Sequence, residues 1–406
     1  MHNCSDSMNY ISLFSSGGVG CFGFKIEGFD CIASSELIER RLNVQKCNNK
    51  VKYDVGYILG DITQKEIKQQ LFDAVDSFKL KEKCSDIDVI IFTPPCQGMS
   101  VANHKKNDGT IDKNSLVVEA LEIVKELKPK FFVSENVRAF MNTKCIDHND
   151  EKKIRQAFQD WLSEDYIYED WIINFKDYGA NSSRTRSLAI GVRKDIKNII
   201  PQDLFPSEEK EKNLIDVIGH LPPLHEMGEI DENDIYHNFR PYKENMRDWI
   251  HDLDEGESAF DNEDENKRPH RIVDGKIVPN VKKNSSKYTR QYWNKVGPCI
   301  HTRNDILASQ NTIHPVDDRV FSIRELMLMM NIPNEFKWVE EDESYLNSLS
   351  IEEKRKFLKK NEMNIRQCIG EAVPTIILEK IARNIKEVLI NGKRIKKSNG
   401  QTRLEF

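Results

Sequence analysis

Through the first half of the chain, short apolar runs alternate with stretches of helical periodicity. Tyr10–Phe14, Cys31–Ser35, Val89–Thr93, Phe131–Ser134 and Leu188–Val192 have the length and composition of buried strands. Between them, Gln64–Phe78 and Leu116–Leu127 carry apolar residues at three-to-four spacing and predict helices. That alternation predicts an α/β fold, a largely parallel sheet with covering helices. Beyond Arg193 the order breaks down. Pro201, Pro206, Pro222, Pro223, Pro241, Pro269, Pro279 and Pro298 punctuate a polar, irregular region that predicts a smaller, loop-rich unit. Periodicity returns at Phe321–Met330 and at Pro374–Leu389, where Ile376, Ile377, Ile381, Ile385 and Leu389 share one helical face.

Composition narrows the function classes. A length of 406 residues predicts about two domains. With 38% hydrophobic and 31% charged residues and no apolar run of ~18, the chain is expected to be soluble and free of membrane spans. The opening MHNCSDSMNYISLF lacks a basic segment followed by an apolar stretch, so a cytoplasmic location is expected. Nine cysteines, none in a C-x-x-C pair, fit neither a disulfide framework nor a common zinc site, and no metal is expected. The net charge of −6 argues on average against a polyanionic partner, yet its distribution is uneven. Glu229–Glu265 holds fourteen acidic and three basic residues; Lys267–Arg303 holds ten basic residues and one acidic, Asp274. The second stretch predicts a local positive face.

Four motifs carry candidate chemistry. LFSSGGVG at Leu13–Gly20 is a glycine-rich turn directly after a strand, where a doubly wound sheet lets its backbone approach a nucleotide-like ligand. Glu36 follows some twenty residues beyond the glycines, placed to accept hydrogen bonds from ribose hydroxyls, and Asp61 in GDI closes another short loop. DVIIFTPPCQGMS then runs a strand into Pro94-Pro95-Cys96, a rigid mount for a nucleophile at a strand's carboxyl end. KPKFFVSENV delivers Glu135 to the same sheet edge, and a cysteine facing a glutamate supplies nucleophile and general acid for attack on an electron-poor ring. In SSRTR, Arg184 and Arg186 share one face if extended and would favour a thiolate and donate to a carbonyl or phosphate oxygen.

The ordered series LFSSGGVG, GDI, PPCQGMS, NSLVVEALEIVKELKPK, SENV, SSRTR, RVFSIRELMLMMNIP and RQCIGEAVP resembles the DNA (cytosine-5) methyltransferases over almost the whole chain. The resemblance implies a Rossmann-like S-adenosylmethionine-dependent catalytic domain over 1–195, completed by about 337–406, and a target-recognition domain with hinge over 196–336. It implies catalysis by Cys96, Glu135, Arg184 and Arg186 on a flipped-out cytosine in double-stranded DNA. It also implies a cofactor site made by Phe14, Ser16, Gly17, Gly18, Glu36, Leu37, Asp61, Ile62, Pro95, Leu116, Glu371, Ala372 and Val373. DNA contacts are expected from Gln97 and Ser100, in a mobile loop that closes over the substrate, and from Lys282, Lys283, Arg290 and Arg303. The chain departs from the family pattern at Ser16, where a glycine is usual, at Ser182, where a glutamine is usual, and at Glu371, where an asparagine is usual. A monomeric modification enzyme paired functionally with a restriction endonuclease is expected. Two alternatives remain open at this stage: a tRNA-directed methyltransferase, and a silent DNA-binding protein on the same scaffold.

Overall fold

The computed structural model describes residues 7–95, 114–281 and 286–391. Seven strands form one sheet: β1 (Asn9–Leu13), β2 (Asp30–Glu36), β3 (Tyr57–Leu59), β4 (Val89–Phe92), β5 (Phe131–Val137), β8 (Tyr166–Asn174) and β9 (Thr185–Arg193). Their order is β3-β2-β1-β4-β5-β9-β8. The first five run parallel, β9 is antiparallel to β5, and β8 is antiparallel to β9. The connection order reverses between β1 and β4, which opens a crevice at the strands' carboxyl ends.

Alternation along the strands builds two covering layers. Ile90, Phe92 and Phe132 pack with the helices Lys65–Glu82, Leu116–Leu127 and Ile154–Leu162 on one face. Val89, Ile91, Phe131 and Val133 pack on the other against Phe24, Ile377, Ile381 and Ile385. There the short helix Phe22–Ile26 meets the long helix Thr375–Asn391 so closely that a Cβ on Gly23 would lie 2.4 Å from the Glu379 nitrogen. Only a glycine fits that crossing.

The five expected strands and four expected helices are all present, with Leu116–Leu127 as anticipated and the helix begun at Lys65 running four residues beyond Phe78 to Glu82. The periodicity missed β3, which is three residues long, and β8, an edge strand whose mixed pattern YIYEDWIIN reflects one half-exposed side. It also missed the helix Ile351–Glu371, which is rich in charge but begins with a reciprocal cap between Ser350 and Glu353.

Residues 196–336 contribute to three clusters, Ile199, Leu204 and Phe205 joining the sheet's second covering layer. Trp249, Ile250, Leu253, Ala259, Tyr288, Leu307, Ile313 and Val320 pack among themselves. Leu214, Ile218 and Tyr236 instead join Val19, Phe22 and Val44 together with Leu358 and Ile365. Two hairpins stand outside the main sheet: β6 (Lys144–Asp147) with β7 (Asp150–Lys153), and β10 (His270–Val273) with β11 (Lys276–Pro279).

Candidate active site

Antiparallel register places Val137 opposite Arg186 and Glu135 opposite Leu188, so Glu135 and Arg186 are diagonal neighbours on one face. Arg186 Nε lies 3.2 Å from Glu135 Oε1. The carboxyl is only 6% exposed, and burial raises its pKa above the usual range, with Arg186 and then Arg184 pulling the other way. A buried carboxyl inclined to hold its proton, whose Oε1 lies beside Arg186 but makes no hydrogen bond among the described residues, can serve a ring nitrogen. The adjoining Asn136 Nδ2 donates to the Pro94 carbonyl at 2.8 Å, which ties this strand end to the Pro-Pro segment. Cys96, Gln97, Ser100 and the loop expected to close over DNA lie outside the described residues, as do Lys282 and Lys283.

The two arginines differ. Arg186 is the partner of Glu135, whereas Arg184, 6% exposed, directs Nη1 to the carbonyls of Ile300 (3.1 Å) and Gly370 (3.3 Å). Arg184 therefore joins the start of β9 to two distant segments. Beside both sits His301, whose pKa is lowered by burial and by Arg184 and Arg186, so its imidazole is neutral at neutral pH. The sequence reading missed His301, and nothing in its spacing announces it.

At the other end of the crevice, Phe14, Ser16 and Gly18 take left-handed φ values of 58°, 46° and 79°. Each polar group of Ser16 is held: its N–H by Glu36 Oε2 (2.7 Å), its carbonyl by Gln45 Nε2 (2.6 Å), its hydroxyl by Glu371 Oε2 (2.9 Å). These bonds offset the cost of a serine in a conformation that favours glycine. Two of the three departures from the family pattern, Ser16 and Glu371, thus touch each other, and Arg41 completes the set at 2.6 Å from Glu371. Gly17 is hemmed in, since a Cβ there would lie 3.1 Å from Cys368 Sγ. Ala372 and Val373 are buried, and a Cβ on Gly20 would lie 3.1 Å from that of Val373.

Glu36 also accepts from the Ile38 N–H at 3.0 Å, so backbone donors fix both oxygens while each keeps a lone pair. Leu37 beside it is 63% exposed and Leu59, across the β2–β3 pairing, 39%. Asp61 Oδ1 accepts from the Thr63 N–H and hydroxyl, and Ile62 is buried. Pro95 and Leu116 are half-buried at the ends of their segments. An anchored carboxylate beside exposed aliphatic side chains, next to a turn without room for a Cβ, fits a nucleoside with its vicinal hydroxyls.

Of the residues expected at DNA, Arg303 is exposed and paired with Asp305, while Arg290 is 3% exposed. Arg290 binds the carbonyls of His314, Val316 and Ile250 and the Asp318 carboxylate, and so braces its own segment. Tyr288 is likewise buried, against Trp249 and Phe260.

A family model for C-5 cytosine-specific DNA methylases matches residues 8–387. The chain belongs to that family. Among curated relatives, the type II methyltransferase M1.HgaI of Avibacterium volantium is 29% identical over 389 residues, covering 92% of this chain and 97% of its own. M.DdeI of Desulfomicrobium norvegicum is 28% identical, covering 97% and 92%. A prophage-encoded protein of E. coli, described as a DNA modification methyltransferase, superposes at a TM-score of 0.63 with 21% identity over 95% of this chain and all of its own. That likeness confirms the Rossmann-like methyltransferase fold. The methylase is thus a DNA cytosine-5 methyltransferase of a family that takes its methyl group from S-adenosylmethionine. The tRNA-directed and silent alternatives gain no support from the family match.

Proposed function

We propose that this methylase is the modification half of a type II restriction–modification pair, methylating one cytosine of a specific duplex sequence through a covalent adduct on Cys96. The observation that carries the reading is the buried Glu135–Arg186 pair at the sheet's carboxyl edge, tied through Asn136 to the segment that leads into Cys96. Both curated relatives, each matched over more than nine-tenths of either chain, are type II methyltransferases.

Carbon 5 of cytosine is a poor nucleophile, and the base must leave the helical stack to be reached, at a cost of a few kcal/mol. The Cys96 thiolate adds to carbon 6, and the electron pair displaced onto the ring makes carbon 5 nucleophilic. Glu135 protonates or hydrogen-bonds nitrogen 3 as that charge develops, and Arg186 steadies the exocyclic oxygen. Arg184, bonded to the Ile300 and Gly370 carbonyls, holds the start of Arg186's strand. When bound, S-adenosylmethionine supplies the electrophilic methyl group for carbon 5. Loss of the carbon 5 proton and cleavage of the sulfur–carbon 6 bond then return Cys96 and release 5-methylcytosine.

Glu36 would hold the ribose; Leu37, Asp61 and Ile62 the adenine; and Phe14, Ser16, Gly17, Gly18, Glu371, Ala372 and Val373 the methionine end. Pro95 and Leu116 would close the pocket. The protein would work as a cytoplasmic monomer without metal, matched to a restriction endonuclease by shared sequence rather than by contact. Among the described residues no His, Cys, Asp and Glu cluster could hold a metal ion, and no helix is long and apolar enough to cross a membrane.

The test is a trap. Duplex DNA with 5-fluorocytosine at the methylated position is expected to link covalently to the wild-type protein and not to Cys96→Ala, which should keep its affinity for S-adenosylhomocysteine. Full activity in Cys96→Ala, or no adduct at a site the enzyme methylates, would overturn the mechanism. Bisulfite sequencing of DNA from expressing cells supplies the site.

A further inference from the structure

We propose that the hairpin His270–Pro279 is the element with which this methylase enters the DNA groove and discriminates its site. The inference rests on duplex DNA being the substrate. β10 and β11 are four residues each, joined by Asp274 and Gly275 at φ 50° and 75°. Two left-handed residues in a two-residue loop give a turn whose twist matches the strands it joins, and Asp-Gly is a preferred sequence for it. The hairpin is therefore a defined ribbon.

Its register sets Ile272 opposite Ile277, Arg271 opposite Val278 and Val273 opposite Lys276. Alternation then puts the isoleucine pair on one face and both cations on the other, beside two valines. Ile272 is 67% exposed, Ile277 50% and Val273 44%, and none of them belongs to a hydrophobic cluster. Among the described residues the ribbon is anchored at its base, by the His270 ring against Trp249 and by the Asn280 N–H on the Pro269 carbonyl. Two short strands without a core bury too little to hold themselves together for their own sake. A merely solvated ribbon has no need of exposed aliphatic side chains, whereas here one face is an exposed isoleucine pair and the other sets two valines beside the two cations. So many in one small element mark a contact surface.

Charge identifies the partner. Lys267 and Arg268, just before the hairpin, are paired with Asp252 and Glu265. Arg271 and Lys276 have no ion pair among the described residues. Cations without an ion pair among the described residues suit phosphates, and apolar side chains can meet thymine methyl groups in the major groove, which at about 12 Å admits a two-stranded ribbon. A protein partner could use both the isoleucines and the cations, and the dimer outcome of the test below separates it from DNA.

Two exposed double variants of the full chain test this: Ile272→Ser with Ile277→Ser, and Arg271→Ala with Lys276→Ala. The first should relax the methylated motif at one position or more in a randomised duplex library. It should also lower kcat/KM on the native site roughly tenfold or more. The second should keep the motif, weaken binding to every duplex, and reduce the slope of log affinity against log salt by about 0.9 for each phosphate no longer neutralised. Both should bind S-adenosylhomocysteine as the wild type does. A serine pair with unchanged motif and rate overturns the proposal. So does a wild-type dimer that the serine pair converts to monomer, which would assign the ribbon to protein contact. A wild type that methylates no duplex cytosine fails at the substrate itself, a result distinct from an active wild type with indifferent variants.

Discussion

Glu135 feels opposite pulls: burial favours its neutral form, and two guanidinium groups favour its anion. Burial prevails, so the folded protein holds this proton more tightly than the unfolded chain, whose glutamates titrate near about 4.3. The corresponding stability is complete below that value and is lost as pH rises through the folded pKa. Glu135→Gln keeps the shape of the neutral form at every pH. It is therefore expected to melt with the wild type near pH ~4 and above it near pH ~8, while methyl transfer falls by about 10²–10⁴. Melting curves across pH, beside single-turnover rates, check both halves; a variant that melts lower at alkaline pH would reverse the sign assigned to burial. The carboxyl itself was legible in the sequence because a strand ending in Glu-Asn-Val can only present it at the sheet edge. The different work of Arg184 and Arg186 was not, since two arginines two apart read alike until the carbonyls of Ile300 and Gly370 claim one of them. Arg290 shows the same limit: charge pattern predicts a positive face but does not say which cation lies beneath it.

Among the elements, the helix Ile323–Met329 begins on an unusually dry set of charges. Glu325 caps the Ser322 N–H at 2.7 Å and receives two bonds of 2.8 Å from Arg319, with Glu325 and Arg319 each 1% exposed. The Arg319 guanidinium holds the Glu325 carboxyl far below the usual range against the cost of burial. Arg319 keeps a second buried partner, Asp317 at 2.8 Å, so Glu325→Gln removes one of its two carboxylates and is expected to lose up to about 3 kcal/mol in denaturant unfolding at neutral pH. A loss under about 1 kcal/mol would mean that solvent reaches the pair. His314, against the same carboxylate, is lowered by burial to about 4. Its neutral form is the native one, so its contribution is complete above the unfolded value of about 6.5 and is lost as pH falls from there toward its folded pKa. Acid should therefore weaken the protein first through His314 and only later through Glu325. The capping residues of this helix stand in plain sequence, as do those of Ile351–Glu371; the latter escaped notice because its outer face is charged and blurs the period. The strand β8 escaped for the converse reason, its alternation being broken at an edge.

For the molecule as a whole, the loss of periodicity after Arg193 marked a change of character, but it could not reveal which segments meet. Leu214 and Ile218 share a cluster with Val19 and Phe22, and Glu371 reaches Ser16 across 355 positions of chain. The crevice proposed for the cofactor is thus assembled from residues far apart in the sequence, and filling it should stabilise the whole rather than one lobe. S-adenosylhomocysteine at about 100 times its dissociation constant is expected to add about 2.7 kcal/mol to unfolding in a single transition. Glu36→Ala should forfeit most of that gain. Calorimetric scans with two transitions, only one of them moved by ligand, would contradict joint assembly.

The crossing at Gly23 bears on how the protein is made. Phe22–Ile26 leaves the ribosome early, but the surface on which it rests, Thr375–Asn391, comes near the end of the 406 residues. At about 5–20 residues per second, the glycine turn and the central strands wait some tens of seconds for their second covering layer. Until then Tyr10, Phe24, Val89 and Ile91 lack Ile377, Ile381 and Ile385, and that side is only partly covered and open to chaperones and to aggregation. A nascent chain that lacks this helix is not expected to methylate, so slow translation holds back activity until long after the central strands have emerged.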